Sequence, residues 1–309
     1  MNHGPQMHGP VVAAVLLAAL TVAVVWSMLA LVRRAGRSAE AWPHDLAVRP
    51  AEPGLPAAPS ERRSQEAAGA TSSAPVVSAE NLTKRYGALV AVDGLSFSLH
   101  RGSVIGFLGR NGAGKTTTLR LLLGLAHPTE GRALVFGGPY ADLERPAQRV
   151  GAVLETDDFH PSRSGRDHLR VLALAAGLPA QRVEQVLEAV DLTASATRPV
   201  KTYSMGMRRR LGLAAALLGE PELLVLDEPA NGLDPVGMRW LRTLLRDFAD
   251  AGGTVLISSH VLAEVAQAVD RVLIIEQGRL VADAALDELA TGSQTLEDAY
   301  LALTTGPAR

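Results

Sequence analysis

Residues 109–117 read GRNGAGKTT, and this run constrains the chain's fold more than any other. It fits G-x-x-x-x-G-K-[ST], follows the apolar stretch VIGFLG (104–109), and opens the helix-patterned stretch KTTTLRLLLGL (115–125). A phosphate loop needs both flanks: a strand delivers the loop, glycines let backbone N–H groups wrap an anion, and a helix start favours the negative charge. A chance glycine-rich turn would not reproduce them. The expected nucleotide-binding set is Gly109, Arg110, Asn111, Gly112, Ala113, Gly114, Lys115, Thr116 and Thr117. Lys115 would neutralise the β- and γ-phosphates, and the Thr116 hydroxyl would ligate Mg²⁺.

The rest of the chain beyond Val76 agrees with that loop. LLVLD (223–227), TVLIS (254–258) and RVLII (271–275) are continuous apolar runs rather than alternating ones. Strands buried on both faces read this way, so the pattern predicts a parallel sheet covered by helices. In QRVEQVLEAV (181–190), Val183, Val186, Leu187 and Val190 fall on one helical stripe. From about Ser162 to Gly219 strand character is weak, which predicts a helical insertion. The expected class is α/β: a parallel-sheet P-loop domain with a helical subdomain.

Three further stretches carry chemistry. LLVLDEP (223–229) ends an apolar strand in Asp227 and Glu228, at the sheet edge where ligands of open α/β sheets bind. Asp227 would hold Mg²⁺ through water, and Glu228 would orient and polarise the attacking water. TVLISSH (254–260) ends another strand in a polar pair and His260, whose imidazole is expected to reach the γ-phosphate. In TYSMGMRRRLGLA (202–214), Ser204 and Gly206 precede a helical run, a second anion-binding helix start in a chain that already has one. Arg208, Arg209 and Arg210 read as a solvated helix face.

On these motifs the segment Val76 to Thr305 resembles the nucleotide-binding domain of an ABC transporter, over about three quarters of the chain. The resemblance implies an antiparallel β subdomain beside the parallel core, and ATP and Mg²⁺ as ligands. YSMGM (203–207) lies where the family carries its LSGGQ signature, so Ser204, Met205, Gly206 and Met207 are signature residues. ANGLD (230–234) resembles the D-loop with Asp234 as its acidic residue, and His260 matches the switch histidine. Tyr86, in TKRYGALVAVDGLSF, matches the aromatic residue that stacks on adenine. In this family two domains meet head to tail, and the signature of one caps the ATP bound by the other. Ser204 and Lys115 of one chain are therefore not expected to share a nucleotide.

Two departures from the family pattern stand out. Met205 occupies a position usually held by Gly, and Met207 one usually held by Gln. In VGAVLETDDF the Q-loop glutamine, a Mg²⁺ contact, appears as Glu155. Glutamate keeps the oxygen but loses the amide donor and adds charge. Glu155, with YSMGMRRRLGLA and the C-terminal TLEDAYLALT, is similar to what ATPases of bacitracin- and lantibiotic-type exporters carry. The implied function is an ATPase subunit that powers a separate permease, for export of a drug or antibiotic peptide. An importer ATPase is the first alternative, since hydrolysis chemistry does not encode direction, but no room for an added regulatory domain follows Leu286. An ABC-type switch on ribosomes or DNA is the second, and it usually carries two nucleotide domains or a long coiled coil, neither visible here.

The N-terminal part has a different composition. Val11 to Val32 is 22 residues without a charge, a helix of roughly 33 Å against a bilayer core of about 30 Å. Its Leu and Val residues contribute roughly −4 to −7 kcal/mol on an insertion scale. A buried soluble helix, a signal peptide or a translation start assigned too early are the competing readings; Met1 to Pro10 has no Lys or Arg, as a signal peptide would need. Arg33, Arg34 and Arg37 follow the span, which places the remainder on the cytoplasmic face of the membrane. The expected organisation is a short segment 1–10, a membrane helix 11–32, a Pro/Ala-rich linker 33–75, the nucleotide-binding domain 76–305 with its helical subdomain at about 162–219, and a tail 306–309. One span cannot form a translocation path, so the permease would be another, multi-span polypeptide. The formal charge of −2 gives no reason to expect nucleic acid, and the lack of cysteine excludes disulfide and thiolate chemistry.

Overall fold

The computed structural model describes residues 74–154, 159–261, 267–291, 298 and 300. The apolar segment 11–32, all but the last two residues of the 33–75 linker, Glu155, and most of TLEDAYLALT lie outside the described residues. No helix among the described residues is long and apolar enough to cross a membrane.

In chain order the strands are β1 (Val77–Tyr86), β2 (Leu89–Leu99), β3 (Val104–Leu108), β4 (Glu130–Val135), β5 (Val150–Val153), β6 (Leu223–Asp227), β7 (Thr254–Ser259), β8 (Arg271–Glu276) and β9 (Arg279–Ala285). The helices are α1 (Lys115–Leu122), α2 (Pro146–Arg149), α3 (Gly165–Ala175), α4 (Gln181–Ala189), α5 (Met205–Leu217), α6 (Pro235–Asp250) and α7 (Leu286–Thr291). A six-stranded sheet runs β5-β6-β7-β3-β8-β9, parallel except for the β8–β9 hairpin. Beside it stands an antiparallel three-stranded sheet, β2-β1-β4.

The apolar runs explain the layering. Along β3, β6, β7 and β8 alternate residues enter different cores. Leu108, Leu226, Ile257 and Ile274 pack on the face covered by α3 to α6. Phe107, Val225, Leu256 and Leu273 pack with α1 and the small sheet. A strand facing two apolar layers has no position left for a solvated side chain, so its sequence cannot alternate. The predicted helical insertion is α3, α4 and α5, joined by the Leu169, Val183, Val186, Leu187 and Leu211 contacts. At the far edge of the sheet Glu222 accepts hydrogen bonds from Arg101 and Arg149. Burial pushes its carboxyl upward, but the two guanidiniums outweigh that and leave it below its ordinary value.

The three arginines of α5 do not form a solvated face. Arg209 is buried. Arg210 donates to the Asp191 carboxylate at 3.0 Å and the Val190 carbonyl at 3.2 Å, and its guanidinium lies 4.5 Å from the Trp240 ring centroid. Arg210 thus ties α5 to the end of α4 and to α6, a use of arginine that charge counting does not reveal.

Close backbone approach fixes β5 against α5. A Cβ on Gly151 would stand 2.2 Å from the Ala216 carbonyl oxygen and 2.7 Å from Leu224 Cδ2. Gly151→Ala is expected to cost about 1–3 kcal/mol through overpacking, lowering Tm by several degrees, at roughly 2–4 °C per kcal/mol. Gly138→Ala is the control, since its Cβ would meet nothing within 4 Å. Thermal melts of both variants check this, and equal melting points would contradict it.

Candidate active site

The phosphate loop joins β3 to α1, and its shape is dictated by glycine. Gly112 and Gly114 have φ of 82° and 105°, a region closed to most side chains. A Cβ on Gly114 would also lie 2.4 Å from the Ala91 carbonyl oxygen. The loop is braced from outside as well. The Gly278 N–H donates to the Ala113 carbonyl at 2.9 Å, and the Gly278 carbonyl accepts from Asp93 N–H at 2.9 Å. Sequence reading missed this brace, because it joins the β8–β9 turn to β2 across the fold.

Lys115 is 6 % exposed. Its ammonium donates to the Gly109 carbonyl at 2.7 Å and the Arg110 carbonyl at 3.4 Å, and lies 3.4 Å from Glu228 Oε1. The loop therefore holds a desolvated cation among groups that a phosphate can replace as partners. The Thr116 hydroxyl donates to Asp227 Oδ2 at 2.7 Å, bringing together a hydroxyl and a carboxylate from α1 and β6. Asp227 is fully buried. Its other oxygen, Oδ1, accepts from Ser258 at 2.5 Å.

Glu228 follows with φ 48°, a left-handed backbone that costs a non-glycine residue about 1–3 kcal/mol. That turn swings its carboxylate out of the strand direction and over the phosphate loop. Glu228 Oε2 lies 2.8 Å from His260 Nδ1. Since a carboxylate only accepts, Nδ1–H is the donor, leaving Nε2 as the second ring position for a ligand contact. Lys115, Glu228 and His260, predicted separately from three stretches of sequence, thus form one contiguous chain of contacts.

They line a cleft of about 500 Å³ with Tyr86, Leu89, Arg110, Asn111, Gly112, Gly114, Thr116 and Thr117. Tyr86 pairs with Leu89 across the β1–β2 turn and is half exposed. Asn231 also lines the cleft and was not singled out from sequence. Gly109 stands behind the loop, where a Cβ would meet the Ile275 carbonyl oxygen at 2.5 Å. The Ala113 side chain points into the core.

Comparison with known proteins identifies the family. The family model described as "ABC transporter" matches residues 92–231. The bacitracin transport ATP-binding protein BcrA of Enterococcus faecalis is 42 % identical over 217 residues, which is 69 % of this chain and 70 % of the relative. The chain belongs to the ABC transporter ATP-binding family. The lantibiotic transport ATP-binding protein SrtF of Streptococcus pyogenes is 34 % identical over 221 residues, 72 % of this chain and 94 % of that one. Among solved structures, the ATP-binding subunit of an ABC transporter superposes with a TM-score of 0.68 at 27 % identity, over 74 % of this chain and 99 % of that one. The protein is thus an ABC ATPase, an ATP hydrolase coupled to transport, and its phosphate loop, the carboxylates at the end of β6 and the histidine after β7 lie together.

The residues expected from the resemblance to form the signature lie elsewhere. Ser204 caps α5, its hydroxyl accepting from Met207 N–H at 3.2 Å. Asp234 caps α6 in the same way, its Oδ1 accepting from Gly237 N–H at 2.7 Å. Ser204, Met205, Gly206, Met207, Gly232 and Asp234 share a second cleft of about 530 Å³. Met205 leans over Gly232, whose absent Cβ would stand 2.0 Å from the sulfur. Tyr203, by contrast, is buried, with its hydroxyl donating to the Ser195 carbonyl at 2.8 Å. Burial pushes its phenol pKa up, against Arg198 and a Gly165 backbone hydrogen bond that lower it.

Proposed function

We propose that this ABC ATPase works as a head-to-tail pair with a second copy or a related domain, and powers a separate multi-span permease that exports a drug, antibiotic peptide or similar compound. The observation that carries the pairing is that the two clefts have no lining residue in common. The phosphate loop lacks an anion cap from its own signature, and the signature lacks a phosphate loop. Two chains in antiparallel contact satisfy both needs at once. The transport names printed for BcrA and SrtF support export.

Within the site, the residues have distinct tasks. Lys115 exchanges its carbonyl and Glu228 contacts for the β- and γ-phosphates, and its desolvation makes that charge count for more than it would in water. Glu228, freed of Lys115 but still held by His260, accepts a proton from the attacking water. His260 directs its remaining nitrogen toward the γ-phosphate. Tyr86 stacks on the base. From the other chain, Ser204 and the amides at the start of α5 hold the γ-phosphate, and the helix dipole favours the anion there. Asp234 shapes the D-loop by capping α6 where the two chains would meet.

The donor set fits Mg²⁺. Thr116 Oγ1 and Asp227 Oδ2, 2.7 Å apart, are hard oxygens, and this ion is usually held by one or two protein oxygens plus phosphate. Bound with ATP, it would neutralise charge on the β- and γ-oxygens. Glu155, outside the described residues, would add a further oxygen. The segment 11–32 would anchor the chain to the membrane with its catalytic part on the cytoplasmic face.

Affinity purification of the tagged full chain from detergent-solubilised membranes tests the transport reading. A multi-span protein is expected to co-purify in stoichiometric amount and to stimulate ATP hydrolysis. A chain recovered intact and fully active with no such partner, or with ribosomes in an ATP-dependent manner, would contradict it.

A further inference from the structure

Ser258 sits buried behind the cleft and is none of the residues matched to family motifs above. It lies in β7 and pairs in register with Asp227 of β6. Both residues are wholly buried. In neighbouring strands, paired residues project from the same face, so the hydroxyl stands beside the carboxylate. Its one hydrogen goes to Asp227 Oδ1 at 2.5 Å. Its oxygen accepts from the Glu228 N–H at 2.9 Å. A single hydroxyl thus bridges the carboxylate that faces Thr116 and the backbone of the residue that faces water.

We infer that Ser258 is a positioning residue for hydrolysis, which sets the orientation of the Asp227 carboxylate and holds Glu228 in its left-handed conformation. This rests on the reading of Glu228 as the water-activating group. Two facts make the role specific. Asp227 has one oxygen on Thr116 and the other on Ser258, so removing Ser258 lets the carboxylate turn about its remaining contact. Glu228 has φ 48°, so its main chain relaxes toward a commoner region unless something holds the amide. The held amide belongs to the residue whose carboxylate spans Lys115 and His260. A relaxation there displaces the base from both.

The experiment compares Ser258→Ala, Ser258→Thr and Thr254→Val with the wild-type full chain in its solubilised complex. Thr254 is equally buried at the start of the same strand, and its hydroxyl donates to the His100 carbonyl at 3.4 Å, far from the reaction. Ser258→Ala is expected to lower kcat by about 10- to 100-fold, since small displacements of reacting groups carry costs of that size. Its KM and its equilibrium affinity for a fluorescent ATP analogue stay within about threefold. Retention of ADP with vanadate, which stands in for the γ-phosphate in flight, falls in parallel with kcat. Thr254→Val lowers Tm and leaves kcat within about twofold. Ser258→Thr, which keeps the hydroxyl, recovers most of kcat; if its extra methyl lowers Tm instead, the split between kcat and affinity in Ser258→Ala decides.

The inference is overturned if Ser258→Ala keeps kcat within about twofold of wild type, or if Thr254→Val loses as much at comparable stability. Glu228→Gln run alongside separates the two levels. A slow Glu228→Gln with a normal Ser258→Ala removes only the role of Ser258, whereas a fast Glu228→Gln removes the water-activating reading beneath it.

Discussion

Glu228→Gln is expected to bind ATP as the wild type does and to hydrolyse it about 10²- to 10⁴-fold more slowly, the range lost when a positioned base is removed. The substitution is nearly isosteric. It leaves the Glu228 N–H on Ser258 and removes only the charge and proton-accepting power of the carboxylate. That carboxylate lies 3.4 Å from the Lys115 ammonium. Neutralising it therefore also frees Lys115 for phosphate, which favours retention of ATP. Phosphate release measured beside equilibrium binding of a fluorescent ATP analogue distinguishes the two effects. Turnover within a few-fold of wild type would remove Glu228 from the chemistry.

The second large effect concerns Gly206. A Cβ there would meet Leu233 Cδ2 at 3.6 Å and the Gly232 carbonyl oxygen at 4.0 Å, ordinary contacts, so its own chain tolerates a side chain. Gly206 is also the second residue of α5, where a carboxylate is favourable to the helix dipole by about 0.3–1 kcal/mol. Gly206→Asp is thus expected to fold with an unchanged or slightly raised Tm and to bind ATP normally. Its carboxylate would stand where the other chain's γ-phosphate belongs, so turnover falls by about 10²-fold or more, as when a preorganised anion contact is lost. A variant that is stable, binds ATP and yet hydrolyses none places the defect in the partner's site. Wild-type turnover in Gly206→Asp would mean that α5 does not touch the reacting nucleotide.

The features legible in the sequence are those enforced by local geometry. GRNGAGKTT requires its strand and helix, and β3, β6, β7 and β8 appear within a residue or so of the apolar runs, because burial on both faces leaves only apolar residues acceptable. Lys115, Glu228 and His260 could be named because each ends or follows such a run, and the fold brings them into contact. What was not legible depends on register and packing between distant segments. Ser258 looked like one of two polar residues closing a strand, and only its pairing with Asp227 gives it a task. Arg208 to Arg210 looked solvated because three adjacent cations usually are, yet Trp240 and Asp191, both distant in sequence, receive Arg210. The Asp93, Ala113 and Gly278 brace behind the phosphate loop uses backbone atoms alone, which leave almost no trace in side-chain pattern.

The central claim is that one chain supplies only half of each ATP site. Sedimentation of the full-length Glu228→Gln chain in detergent, with and without ATP, tests it most directly when run beside the Glu228→Gln, Gly206→Asp double variant. The account predicts that ATP converts Glu228→Gln from single chains into pairs holding one nucleotide per chain. The double variant should still bind ATP, with the weaker affinity of a single chain, and remain single. Glu228→Gln chains that stay single when saturated with ATP, or pairs that form equally well with Asp at position 206, would contradict it.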